Sequence, residues 1–270
     1  MTQTESMISP DQIIRRGIAV VTGAGTGLGR PLSVELAAKG MFVVGLGRHE
    51  ESLQETASLI GPEQFSFKVV DVAEPSQVIT VFEGIAAEFG PVTVLVNNAA
   101  VYPRRDFLDE TPESFMQSVN VNLGGVVACT YAVLGHMTMT GVGRILNVAT
   151  FADIAPMPAS SAYSVSKGAA RILTRSLVAD LSDRFPEIVI SDWMPGALDT
   201  RMGISDGLDP KMSARWGAEL ALWHDPSLTG SIFERDREVL PPRSLKRRML
   251  DKVLLRKGPA PRSLGQAPEA

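Results

Sequence analysis

Tyr163 and Lys167 stand four residues apart in the run Ser160-Ser-Ala-Tyr-Ser-Val-Ser-Lys167, one turn apart on a single helix face. A phenol with its ordinary pKa of about 10 is a poor acid–base group near neutrality. An ammonium beside it favours the phenolate and lowers that pKa. The pair is a candidate site of proton transfer. A Tyr and a Lys on one helix face are also commonly a plain surface pair, so the spacing needs support from the rest of the chain.

That support begins with Thr22-Gly-Ala-Gly-Thr-Gly-Leu-Gly29. Small residues at a strand-to-helix turn let the backbone approach a pyrophosphate, and the helix N-terminus offers N–H groups and partial positive charge. A glycine-rich turn alone can be only a tight turn. This one follows an apolar run and opens a helix-period segment, the context a dinucleotide cradle requires.

The elements that must hold these residues alternate along the chain. Ile18–Thr22, Met41–Leu46, Phe65–Val70, Val92–Val96, Gly143–Val148 and Ile188–Trp193 read as strands, with a short last one near Ser231–Phe233. Helix-period segments fall between them: Gly27–Lys39, Glu50–Ile60, Pro75–Phe89, Asn120–Met139 and Ala162–Phe185. The alternation predicts one α/β domain with a doubly wound parallel sheet of about seven strands flanked by helices. Residues 17–240 form that body. Residues 1–16 read as an N-terminal extension and 241–270 as a basic C-terminal one, disordered from Gly258 to its end.

The spacing of Thr22, Gly23, Gly27 and Gly29 resembles the short-chain dehydrogenase/reductase family in its classical form, over about residues 17–235. Five landmarks stand in the family's order: the glycine motif, Asp71-Val72, Asn97-Asn-Ala-Ala100, the Tyr163/Lys167 motif and Pro195-Gly-Ala-Leu-Asp-Thr200. Ala100 departs from the family's glycine by one methyl. The resemblance implies a Rossmann fold and cofactor contacts at Gly23, Gly25, Thr26, Gly27, Leu28 and Gly29. It implies more at Asp71 and Val72, Asn98 and Ala99, Tyr163 and Lys167, and Pro195, Gly196, Leu198 and Thr200. Asp71 would meet the adenine ring, or else cap the turn that follows it. Asn97 and Asn98 would steady the sheet beside the cofactor.

At the end of the second strand, an acidic residue would bind a ribose 2′-hydroxyl and repel a 2′-phosphate. Gly47-Arg48 stands there instead. Arg48 can pair bidentately with a phosphate, which favours NADP(H), with NAD(H) as the alternative. Its other reading is a solvated arginine at a helix start.

The family places a serine thirteen residues before the tyrosine, where this chain has Thr150; threonine supplies the same donor with an added methyl. Ser160 and Ser161 compete by proximity, although both read as a helix start. The fourth member is Asn122, which in the family holds a helix kink; Asn120 reads as a local cap. The resemblance thus implies a catalytic set of Asn122, Thr150, Tyr163 and Lys167, with hydride transfer between nicotinamide and a carbonyl or alcohol carbon. No metal is expected. Tyr102, Phe151, Met157, Met202 and Met212 would give an apolar pocket. Arg104 and Arg105 would meet solvent or an acidic group. A lid near 197–215, with Gly203 and Gly207, reads as a mobile cover.

Net charge is −4 over 270 residues, with 44% apolar and 21% charged, which argues against nucleic-acid binding. The single cysteine, Cys129, excludes an intrachain disulfide and reads as buried packing. The N-terminus lacks the apolar core of a signal peptide, and no run suggests the roughly 18 apolar residues of a membrane span. A cytoplasmic protein without membrane contact is expected. From Arg243 to Arg262 there are eight basic residues against Asp251. Leu245, Met249 and Val253 would form a stripe there, interrupted by Arg256. The family resemblance implies a homodimer or homotetramer using the helices near Asn120 and Ala162. The alternatives are an NAD(H)-dependent alcohol dehydrogenase, a cofactor-binding regulator without turnover, and an interaction protein acting through its basic tail.

Overall fold

A computed structural model describes residues 8–242 and 259–265. Seven strands run parallel: β1 (Ile18–Thr22), β2 (Phe42–Gly47), β3 (Phe65–Val69), β4 (Val92–Asn97), β5 (Gly143–Val148), β6 (Ile188–Met194) and β7 (Ile232–Glu234). An eighth, β8 (Arg237–Glu238), pairs antiparallel with β7. Their order is β3-β2-β1-β4-β5-β6-β7-β8. β1, β4 and β6 are buried along their whole length, as strands covered on both faces must be. The order reverses between β1 and β4, the place where open α/β sheets form a crevice at the strands' carboxyl ends.

Helices α1 (Pro10–Arg16), α2 (Gly29–Ala38), α3 (Glu50–Ile60) and α8 (Pro210–Leu222) are joined to one core cluster. Ile14, Leu32, Leu36, Leu53 and Leu222 are buried in it beside Trp193. Helices α4 (Pro75–Phe89), α6 (Gly125–Thr140) and α7 (Ser161–Leu181) serve the second cluster, built on Val78, Phe82, Ile85, Cys129, Val133 and Met137. Each such side chain, taken out of water, stabilises the fold by about 1.5–3 kcal/mol. Cys129 is buried, and burial pushes its thiol up to about 12. Arg144 is buried as well, and its guanidinium donates to Ser191 Oγ at 2.7 Å and to the Leu220 carbonyl at 3.0 Å. It thereby ties the C-terminal turn of α8 to the sheet.

Five elements differ from the sequence reading. The N-terminal stretch is helical from Pro10, where Ser9 and Gln12 form a capping box. That helix docks on β4 through a bond from Thr93 Oγ1 to the Ile14 carbonyl at 2.8 Å. The helix expected from Asn120 starts earlier, as α5 (Pro112–Val119), where Thr111 caps the Ser114 N–H and Pro112 fills the first turn. A π-helical turn, Asn120–Gly124, joins it to α6. The continuous helix Pro112–Thr140 is long and apolar enough to cross a membrane, contrary to expectation; Cys129, Val133 and Met137 on it are packed in the core. Residues 210–215, read as the end of the lid, instead begin α8, whose N-cap Asp209 accepts from the Lys211 N–H.

At the C-terminus, 259–265 is ordered where disorder was expected. Leu264 is buried and Arg262 pairs with Glu238 at 2.6 Å. The basic stripe Leu245–Met249–Val253, the rest of residues 243–258, and residues 1–7 and 266–270 lie outside the described residues.

Candidate active site

The predicted site residues gather at the carboxyl ends of the parallel strands. Gly23, Gly25, Thr26, Gly27 and Leu28 make the turn after β1, and Gly29 opens α2. Gly23 and Gly27 take φ of 68° and 53°, a left-handed conformation that favours glycine. At Gly29 the reason is space: a Cβ would lie 2.1 Å from the Gly23 carbonyl oxygen. The glycines let the turn close tightly on itself at the N-terminus of α2, and a compact glycine turn there fits a dinucleotide. Leu28 is buried in the core rather than facing the crevice freely.

The turn is fastened from both sides. Thr22 Oγ1 accepts from the backbone N–H groups of Asn98 and Ala99, each at 2.9 Å, while Asn98 Nδ2 donates to the Thr22 carbonyl at 2.8 Å. Arg30, which sequence reasoning passed over, donates through Nε to the Gly25 carbonyl at 3.0 Å and pairs with Glu55 of α3. Its position just after Gly29 carried no signal of that role.

Arg48 directly follows β2, has its side chain 51% exposed and stands 3.8 Å from Asp71. Asp71 also accepts from the Ala73 N–H at 3.0 Å, so it does cap its turn. Val72 beside it is buried against Gly125, where a Cβ would approach to 2.7 Å.

Asn122 lies in the π turn and is fully buried. Its Nδ2 donates to the Val101 carbonyl and to Ser166 Oγ, both at 3.0 Å, and its Oδ1 accepts from the Val101 N–H at 2.8 Å. One side chain thus links the kink, the loop after β4 and α7. Ser160 and Ser161 begin α7, and the Ser160 hydroxyl donates to the Met157 carbonyl at 2.5 Å.

Tyr163 and Lys167 lie on the first turns of α7, and Thr150 on the loop after β5. Burial raises the pKa of Tyr163, and a hydrogen bond with Thr150 works in the opposite direction. The depressed phenol pKa expected from the neighbouring ammonium is absent, because desolvation prevails. Lys167 is buried, its Nζ donates to the Val148 carbonyl at 2.5 Å, and burial pulls it down to about 8.

Tyr102, expected only as a pocket wall, stacks on Tyr163 with ring centroids 4.5 Å apart. Arg104 covers Tyr102 at 5.3 Å and donates to the lid carbonyls of Met202, at 2.9 Å, and Gly203. It is exposed, as expected of a loop arginine, but its guanidinium is held by these lid carbonyls rather than by an acidic group. Arg105 pairs with Glu110 at 2.8 Å.

The lid is a closed loop, tied by bonds from Asp199 N to the Leu208 carbonyl at 2.9 Å and from Leu208 N to the Ala197 carbonyl at 2.8 Å. Gly203 and Gly207 serve close packing there: a Cβ would fall 1.9 Å and 2.4 Å from the Leu198 carbonyl group. Pro195 and Gly196 start this loop, Leu198 is buried in the core, and Thr200 reaches toward Gly27.

Residues 17–210 match the short chain dehydrogenase family. The chain is 34% identical to 2-(R)-hydroxypropyl-CoM dehydrogenase of Xanthobacter autotrophicus, over 68% of this chain and 76% of that one. It is 30% identical to the NADP-dependent (R)-specific alcohol dehydrogenase of Lentilactobacillus kefiri, over 73% and 80%. It is 35% identical to carbonyl reductase [NADPH] 2 of Sus scrofa, over 73% and 78%. A short chain dehydrogenase from Bacillus anthracis superimposes with a TM-score of 0.75 at 22% identity, covering 83% of this chain and 96% of that one, and shares the fold. The chain belongs to the short-chain dehydrogenase/reductase family and is an NAD(P)-dependent oxidoreductase acting on CH–OH or C=O groups.

Proposed function

We propose that the protein is an NADP(H)-dependent oxidoreductase of a carbonyl or secondary alcohol substrate, with Tyr163 as its acid/base. The observation that carries this reading is the meeting of Thr150, Tyr163 and Lys167 beside the glycine cradle at the carboxyl ends of the strands. A bound nicotinamide dinucleotide supplies or accepts the hydride.

The cradle from Gly23 to Gly29 receives the pyrophosphate through bare backbone. Arg48, little encumbered at 3.8 Å from Asp71, turns to a 2′-phosphate. Two relatives whose names specify NADP or NADPH are in keeping with this preference. The nearby Asp71 carboxylate is the one observation that favours the second reading, an NAD(H)-dependent alcohol dehydrogenase.

Tyr163, its pKa raised by burial, carries its proton at neutral pH and gives it to the substrate oxygen as a carbonyl is reduced. Thr150 donates a second hydrogen bond to that oxygen; placed donors of this kind contribute about 3 kcal/mol each. Lys167 bonds the nicotinamide ribose hydroxyls and favours the phenolate left on Tyr163. Asn122 holds the π turn that keeps the loop after β4 against α7. Tyr102, stacked on Tyr163, and the exposed apolar side chains Phe151, Met157, Met202 and Met212 would wall a pocket for an apolar substrate.

Exposed apolar side chains run along α6 (Val127, Tyr131) and α7 (Val165, Ile172). They favour a homodimer or homotetramer formed through these helices. Cytoplasmic localisation without nucleic-acid or membrane contact completes the reading.

Parallel fluorescence titrations with NADPH and NADH, followed by a ketone screen with the tighter-bound nucleotide, test it. Tighter NADPH binding and turnover are expected. Tighter NADH binding would overturn the cofactor preference, and binding without turnover would favour a regulator.

A further inference from the structure

Lys167 poses a question of charge balance. Its residue is 3% exposed, and the Val148 carbonyl is the hydrogen-bond acceptor of its Nζ among the described residues. A buried ammonium with a neutral partner is costly and tends to lose its proton unless a counter-charge stands near.

Two carboxylates favour its charged form from beyond ion-pair contact, Asp192 of β6 first and Asp153 of the loop after β5 second. Asp153 is already matched, since its two oxygens accept from Arg171 Nη1 at 2.8 and 2.7 Å. Asp192, 3% exposed, accepts from a neutral donor, Thr174 Oγ1 at 2.6 Å, and the charges that favour its carboxylate are those of Arg171, already paired with Asp153, and Lys167. Thr174 in turn accepts from Asn147 Nδ2 at 2.9 Å, and Asn147 Oδ1 accepts from Asn97 Nδ2 at 2.8 Å. Among the described residues, Asp192 makes no ion pair within contact distance.

The backbone explains the placement. Asn147 and Asp192 are register partners in β5 and β6, and Val148, which holds Lys167, is the next residue of β5. Thr174 follows Lys167 by seven residues on α7, about two turns along the same face. The other ionisable groups at this corner are Arg171 and Tyr163 on α7 and Tyr102 after β4. The two phenols are neutral while protonated.

We propose that Asp192 is the counter-charge of Lys167, a positioning residue that acts through the lysine and keeps its buried ammonium charged where Tyr163 works. Burial pushes Asp192 up to about 6 and Lys167 down to about 8, so both are ionised in the interval between. Removing the carboxylate lowers the lysine pKa further, and the ammonium is lost at lower pH. The consequence for catalysis rests on the function proposed above; the charge pairing does not.

A double-mutant cycle on the full chain tests the pairing without any activity. Asp192→Asn is expected to lower the urea midpoint at pH 7, and to leave it unchanged or raise it when combined with Lys167→Met. Asp192→Ser, which also removes the carboxylate and keeps Thr174 in place, should follow the same pattern and serves if Asp192→Asn does not fold. Additive shifts in both cycles would overturn the proposal. In turnover, Asp192→Asn should move the alkaline decline of kcat/KM to lower pH by about one unit. A purely structural role would lower activity without moving that limb, which would contradict the catalytic part. Absence of turnover in the unmutated chain would instead fall on the functional reading, with the urea cycle still deciding the pairing.

Discussion

The glycine cradle and the proton-transfer corner share the carboxyl ends of one sheet, yet the first is made of backbone and the second of side chains. At the cradle, function comes from what is absent: a Cβ on Gly29 would lie 2.1 Å from a carbonyl oxygen. At the corner, Asn97, Asn147, Thr174 and Asp192 form a continuous buried chain of hydrogen bonds beside Lys167. A backbone site depends on local conformation within eight residues. A side-chain site depends on three strands and a helix arriving in register. The first binds and the second adjusts protons, so damage to one should leave the other's property standing.

After Tyr163 itself, the largest separable effect is expected at Thr150. Thr150→Ala should lower kcat about 100-fold, the usual cost of one preorganised donor, with NADPH affinity unchanged, while Thr150→Ser restores turnover. Steady-state kinetics beside a fluorescence titration check this. Equal loss of binding would blur the division between the two regions.

Gly29→Ala attacks the other side. Overpacking of this kind costs about 1–3 kcal/mol, so NADPH binding should weaken by about 5- to 150-fold. Turnover at saturating nucleotide should change far less. Unchanged affinity in a titration would mean that the bare backbone is not the binding surface.

Arg48→Glu is the finest probe, because the side chain is exposed and its pairing with Asp71 is loose. The ratio of NADPH to NADH affinity should fall about tenfold, an effect of about 1.4 kcal/mol. An unaltered ratio would return Arg48 to the role of a solvated helix-start residue.

The same contrast explains what the sequence made legible. The strands β1, β4 and β6 were readable because buried parallel strands are mainly apolar runs, β2, β3 and β5 from shorter apolar stretches between helix-period segments, and the cradle because glycine spacing reports backbone directly. Tyr163 and Lys167 were readable from their i,i+4 spacing. Helix α5 was missed despite its signals, Thr111 at the cap and Pro112 in the first turn. Helix α8 was missed because Gly203 and Gly207 suggested mobility, whereas both are required by close packing on the Leu198 carbonyl group. The raised pKa of Tyr163 could not be read from composition, since it comes from burial. Nor could the stack of Arg104, Tyr102 and Tyr163, whose members meet only when the loop after β4 folds over α7.

Tyr163→Phe measures the division most directly, because it deletes one proton-bearing atom and leaves the cradle untouched. NADPH should bind within about twofold of the unmutated chain, while turnover of a ketone should fall by about 10²–10⁴. Turnover that survives the substitution, or binding that disappears with it, would contradict the account.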